Sequence, residues 1–169
     1  MKTIRCIFAA AAMIVFSFST FSQVTATGHI SVTIVSPISI VKVQDMNFGH
    51  VSVESGSGSV TLSPENKVRS ASGAVELMDG TEEVSLASFR VKGSAGATFS
   101  ITLPDEPVLL SNGNKSMMVT NFTSTPTNSG LLSDGAKDVL VGATLLVTGN
   151  QNLGIYATAT PFPVTVNYN

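Results

Sequence analysis

The sequence predicts an all-β fold, an immunoglobulin-like antiparallel β-sandwich. Three observations carry that expectation. From His29 onward, short runs of β-branched and aromatic residues alternate with clusters of Gly, Asn, Ser and Asp. No apolar period of 3.6 residues survives for three turns. Within the runs, apolar side chains recur at every second position, as in Phe99, Ile101 and Leu103, which places them on one face of a strand.

The first residues are expected to lie outside that fold. Lys2 and Arg5 precede an apolar run from Ile7 to Phe18, and small residues follow, which is the pattern of a secretory signal peptide cut before Gln23. A run of about a dozen residues is too short to span a bilayer. Losing Lys2 and Arg5 moves the net charge from −2 to −4, so no basic footprint for nucleic acid remains. The single cysteine, Cys6, sits upstream of the apolar run, so the mature chain carries neither a disulfide nor a lipid-modified cysteine. Its 147 residues must be held by burial, and a chain of that size buries about two thirds of its unfolded surface. The expected division is a signal peptide at 1–22, an N-terminal strand at 23–36 and one sandwich domain at 37–169.

The strands follow in order. From His29 to Val35, Ile30, Val32 and Ile34 alternate with Ser31 and Thr33 until Pro37 breaks the register. This is either an ordinary first strand or a detachable one that inserts into a neighbouring subunit. Ile38–Val43, Asn47–Val53 and Ser59–Leu62 come next, with "GSGS" at 56–59 expected as a hairpin turn. Ala74–Leu77 precedes the acidic loop "MDGTEE". In Ala87–Lys92, Phe89 and Val91 point inward, with Arg90 and Lys92 outward; "GSAG" at 93–96 then turns the chain into Thr98–Leu103. Val108–Leu110 and Ser116–Phe122 flank "SNGNK". Ser124–Lys137 is expected to be a polar surface excursion. Asp138–Val147 sends Val139, Val141, Leu145 and Val147 inward. In the last strand, Ile155–Tyr168, Phe162, Val164, Val166 and Tyr168 share one face. Pro161 and Pro163 on the other remove two ladder donors, as at a sheet edge.

Residues for catalysis are scarce. His29 and His50 are far apart and each falls in a strand, where outward or satisfied positions are expected. No serine stands in G-x-S-x-G. Asp79, Glu82 and Glu83 cluster, but their spacing does not match a twelve-residue calcium loop, so a solvated turn is expected. The expectation is a non-catalytic protein without a cofactor or a metal.

The segments "MNFGHVSVESGSGSVTLSPENKVRSASGAVEL", "FRVKGSAGATFSITLP", "VGATLLVTGNQNLGIY" and "VTVNYN" resemble a bacterial exported family, domain of unknown function 4402, over most of the chain from Met46 to Asn169. More distantly, the chain resembles chaperone–usher pilin subunits and spore-coat-like secreted pilins. Gly154 and Tyr168 match the Gly that commonly stands some fourteen residues before a penultimate Tyr in those proteins, and "HISVTIVSPISI" resembles their alternating N-terminal donor strand. That resemblance implies a structural fimbrial or adhesive surface protein, found in the periplasm, at the cell surface or outside the cell. Its partners would be copies of itself or related subunits, with a periplasmic chaperone and an outer-membrane usher. The donor residues would be Ile30, Val32 and Ile34, and the C-terminal assembly strand would carry Phe162, Val164, Val166 and Tyr168. The two prolines either confine a donor ladder to Val164–Tyr168 or face solvent. The alternative expectation is a self-complete sandwich that binds a glycan or matrix component through loops such as Ser124–Lys137.

Overall fold

The computed structural model describes residues 23–78, 80 and 83–169. The signal-peptide segment, and Asp79 and Glu82 of the acidic cluster, lie outside the described residues. Ile34–Asn169 forms one compact unit. Residues 23–33, which fall outside that unit, contain no strand and are exposed.

The compact unit is an all-β sandwich of antiparallel strands, compatible with the immunoglobulin-like expectation. Its strands are β1 (Ser39–Gln44), β2 (His50–Ser63), β3 (Val68–Met78), β4 (Ala87–Lys92), β5 (Thr98–Thr102), β6 (Val108–Asn112), β7 (Lys115–Thr125), β8 (Ser129–Leu131), β9 (Ala136–Thr148), β10 (Ala157–Thr158) and β11 (Thr165–Tyr168). The larger sheet runs β1-β4-β9-β7-β6-β10, with the β2–β3 hairpin also attached to β9; the smaller runs β11-β5-β8.

Strand β9 is the spine, and its alternation explains why. Val139, Val141, Ala143, Leu145 and Val147 are all buried, so every second residue from Val139 to Val147 feeds the core. Along one edge β9 pairs with β7; β4 pairs with its first half, Ala136–Val141, and β2 with Thr144–Thr148. The change of partner occurs at Gly142. A side chain there would meet the Leu62 carbonyl oxygen at 2.0 Å and Pro64 Cδ at 2.8 Å. The glycine is what lets the end of β2 cross so close to the spine.

Two apolar clusters form the core. One gathers Val60, Leu62, Val75, Val119, Leu145 and Val147; the other gathers Val91, Phe99, Ile101, Leu132, Val139 and Val166. Met46 and Phe122 pack against both and join them. Phe162 meets Phe122 with ring centroids 5.2 Å apart and Phe89 edge-on at 6.2 Å.

The "GSGS" turn is corrected. It is a corner inside one continuous strand, β2, whose pairing with β3 is irregular between Val53 and Gly58. Gly73 takes a φ of 72° opposite Gly58, and a side chain there would meet the Ser57 carbonyl oxygen at 2.5 Å. Both strands therefore bend together, and the half carrying Val51, Val53 and Val75 folds back over the first cluster. Arg69 ties the fold down. Its guanidinium donates to the carbonyls of Phe48 (2.9 Å), His50 (3.3 Å) and Met78 (3.3 Å), although Met78 is nine residues along the same strand. Hydrogen bonds from a charged donor contribute about 1.5–3 kcal/mol each at best. Arg69→Met should therefore destabilise the domain by about 2 kcal/mol in chemical denaturation, with Arg69→Lys recovering only part of it.

Other expectations also shift. "GSAG" is not a hairpin turn, because it carries the chain from β4 in the larger sheet to β5 in the smaller. Ser124–Lys137 is not a polar excursion: it contains β8, paired with β5, and it buries Ser124 and Leu132. The last strand breaks after Thr158 and resumes at Thr165, with Pro161 and Pro163 exposed between the two pieces, because two residues without N–H groups cannot hold a ladder there. On the outer face, Arg90 bridges to Asp138 through two hydrogen bonds of 2.7 Å. That bonding holds the Asp138 carboxyl below its ordinary value.

Candidate functional site: a seam between two sheet edges

Strand order puts β1 at one edge of the larger sheet and β11 at an edge of the smaller one. These two edge strands approach each other without pairing. Among the described residues, β1 pairs only with β4 and β11 only with β5, so each keeps a row of unpaired backbone N–H and C=O groups. A free edge of this kind is a template for another strand.

The seam's floor is apolar. Ile38 and Ile40 on one side, and Val164 and Tyr168 on the other, pack on the second core cluster yet remain half-buried. The register of β11 explains which residues reach inward: Val166 pairs with Ile101 and is buried, while Thr165 and Asn167 are exposed. The face expected from the alternation of Phe162, Val164, Val166 and Tyr168 is the one that packs on this cluster.

At one end of the seam the chain is fastened by Tyr168. Its hydroxyl donates to the Ser36 carbonyl at 2.7 Å and accepts the Ser94 backbone N–H at 2.7 Å. The Ser36 N–H in turn donates to Ser94 Oγ at 2.9 Å. Three segments far apart in sequence meet there: the start of β1, the turn after β4 and the end of β11.

The expected donor residues are exposed. Ile30 is 101%, Val32 86% and Ile34 92% accessible. Residues 29–35, expected as a strand, have no regular structure. The physical reason is that an extended segment becomes a strand only when another supplies its hydrogen bonds.

The remaining sequence candidates are not gathered into a site. Gly154, with a φ of 124°, lies in the exposed loop after β9 beside Asn112, whose side-chain amide donates to the Leu153 carbonyl. It shares no strand with Tyr168. His29, His50 and Glu83 are exposed, and among the described residues no group of three metal-ligating side chains converges. A separate groove of about 600 Å³ lies by the β7 bulge, lined by Thr61, Pro64, Asn121, Phe122, Asn128 and Thr144. Sequence reasoning missed Ser36, Ser94, Ile38 and Ile40; the Ser-Pro dipeptide at 36–37 was the only local sign that this point of the chain is special.

No curated protein and no solved structure matches the chain. A family model described as "Domain of unknown function (DUF4402)" matches residues 38–168, which takes in every strand of the sandwich. The chain therefore belongs to the DUF4402 family.

Proposed function

We propose that this chain is an exported, non-catalytic structural protein of the bacterial surface whose copies assemble by strand donation: residues 29–35 of one molecule enter the β1/β11 seam of another. The observation that carries this reading is the pairing of two unmet needs. The seam has two free edges over a half-buried apolar floor, and the segment before it has an uncharged alternating row, Ile30, Val32 and Ile34, fully in solvent. Exposed alternating edges are normally blunted by charge or proline. This one carries neither between Ile30 and Val35.

Lengths also agree. Seven extended residues span about 23 Å and the six of β1 about 20 Å. Exposed Pro161 and Pro163 leave Thr165–Tyr168 as the part of the C-terminal strand able to ladder with a donated segment. A periplasmic chaperone would cover the same seam before assembly, and an outer-membrane usher would be the place of exchange. The glycan-binding alternative places recognition on Ser124–Lys137; there, β8 and buried Leu132 tie part of the segment into the smaller sheet, while Thr127, Asn128, Ser133 and Asp134 stay exposed.

The test is to delete Gln23–Val35 from the mature chain. Full-length protein should form oligomers in light scattering that grow with concentration, and the deletion variant should stay monomeric. A peptide of residues 23–35 should bind the variant and raise its melting temperature by several degrees. Monomeric full-length protein at high concentration, with no response to the peptide, would sink the reading.

A further inference from the structure

A donor segment attached beside its own acceptor raises the question of why it does not close on itself. We infer that Ser36-Pro37, fastened by Tyr168 and Ser94, blocks self-insertion and so reserves residues 29–35 for a second copy of this chain. The inference rests on the strand-donation reading and specifies which molecule's seam is filled.

The first argument is parity. A segment folding back at Pro37 onto the free edge of β1 would run antiparallel to it, and residues opposite each other would share a face. Ile38 and Ile40 pack on the core. To keep Ile38 paired and send all three apolar residues inward from the strand, Ile34 must stand opposite Ile38 and Val32 opposite Ile40. That register leaves Val35, Ser36 and Pro37 as a three-residue loop. A loop of two residues places Thr33 opposite Ile40 and a loop of four places Ser31 there, and either turns Ser31 and Thr33 inward and the apolar row out to solvent.

The second argument is the turn itself. A three-residue hairpin loop is built as a type I turn followed by a residue in the left-handed region. That residue would be Pro37, whose ring fixes φ near about −65°. That register thus demands a conformation that Pro37 cannot adopt, and shifting the loop to Ser36, Pro37 and Ile38 asks β-branched Ile38 for the same left-handed conformation and sets Pro37 at the second central turn position, both disfavoured.

The third argument is the fastening. The N–H of Ser36 is held by Ser94 Oγ and its carbonyl by the Tyr168 hydroxyl. Both backbone groups of the would-be central loop residue are already engaged on the sandwich. In addition, a residue before proline is driven toward extended backbone. No such restriction applies to an incoming segment from another molecule, which needs no turn and can take the inward-facing register directly.

The experiment compares the wild-type mature chain with Pro37→Gly, Tyr168→Phe and the double variant, by light scattering and by limited proteolysis of residues 29–35 over a range of concentrations. In the wild type, protection of this segment should rise with concentration, in step with oligomer mass. In the double variant, it should become independent of concentration, with loss of the oligomer. Pro37→Gly lies outside every strand and leaves the Tyr168 contacts in place; it should give an intermediate result even if the Tyr168 variants fold poorly. Protection that still tracks concentration in both Pro37→Gly and the double variant would overturn the inference, as would a wild-type segment already protected in dilute monomer. The deletion variant separates the two failures. If it binds the 23–35 peptide while the double variant assembles like wild type, only the self-insertion block fails. If it ignores the peptide, the donation reading fails and the inference falls with it.

Discussion

Gly142→Ala should lower the melting temperature of the domain by about 6–12 °C, the equivalent of about 3 kcal/mol for a domain of this size. The argument is one of space. The added methyl would lie 2.0 Å from the Leu62 carbonyl oxygen and 2.8 Å from Pro64 Cδ. Neither atom belongs to a side chain that can rotate away, so the end of β2 must lift from β9 or β9 must shift. Either movement disturbs Leu62 and Val141, both buried, and overpacking of this kind costs about 1–3 kcal/mol or more. Gly28→Ala is the control, because a methyl there meets nothing within 4 Å. Thermal unfolding that gives the two variants the same midpoint would show that the crossing of β2 over the spine is looser than described.

The position also shows what a sequence can and cannot say. Alternation is local, so it marked the inward residues of β9, β4 and β5 and the face from Phe162 to Tyr168 correctly. It even stayed in register through Gly142-Ala143, since Ala143 is buried between Val141 and Leu145. Why Gly142 is glycine was not legible, because the atom that excludes a side chain there belongs to Leu62. The same holds for "ESGSGS". Its glycines announce a bend, but whether the chain reverses or turns a corner is decided by Gly73 on the partner strand.

Strand order is less local still. The prolines before "VTVNYN" suggest an edge, but nothing in "SIVKVQ" does, and the seam exists only because both strands are edges. The segment Ser124–Lys137 hid β8 because three residues are too few to display a period and its neighbours are polar. Ser36 illustrates the limit most clearly: its carbonyl partner, Tyr168, lies 132 residues away. The apolar row Ile30, Val32 and Ile34 was legible as a pattern, and the edges it would suit were legible only in the fold.

Phe99→Ala should be the more damaging of the two core changes, at about 4 kcal/mol, since truncating a fully buried Phe costs about 3–5 kcal/mol. Phe99 is completely inaccessible and stands in the middle strand of the smaller sheet, opposite Tyr168 on β11 and Gly130 on β8. Its ring fills the space over Gly130, where a methyl would come within 2.6 Å of it. Removing the ring leaves a cavity bordered by members of its own cluster, such as Leu132, Val139 and Val166. A three-stranded sheet has few other contacts with which to close it. The same geometry predicts a specific failure of additivity. Gly130→Ala alone should destabilise by pressing on the ring, whereas in the Phe99→Ala background its methyl enters the vacated space and should cost less or recover some stability. Residues in direct contact commonly show coupling of about 0.5–3 kcal/mol, so a double-mutant cycle by denaturant titration can resolve it. Simple additivity of the two changes would mean that the Phe99 ring does not rest on Gly130, and the account of how β5 holds β8 and β11 together would have to be revised.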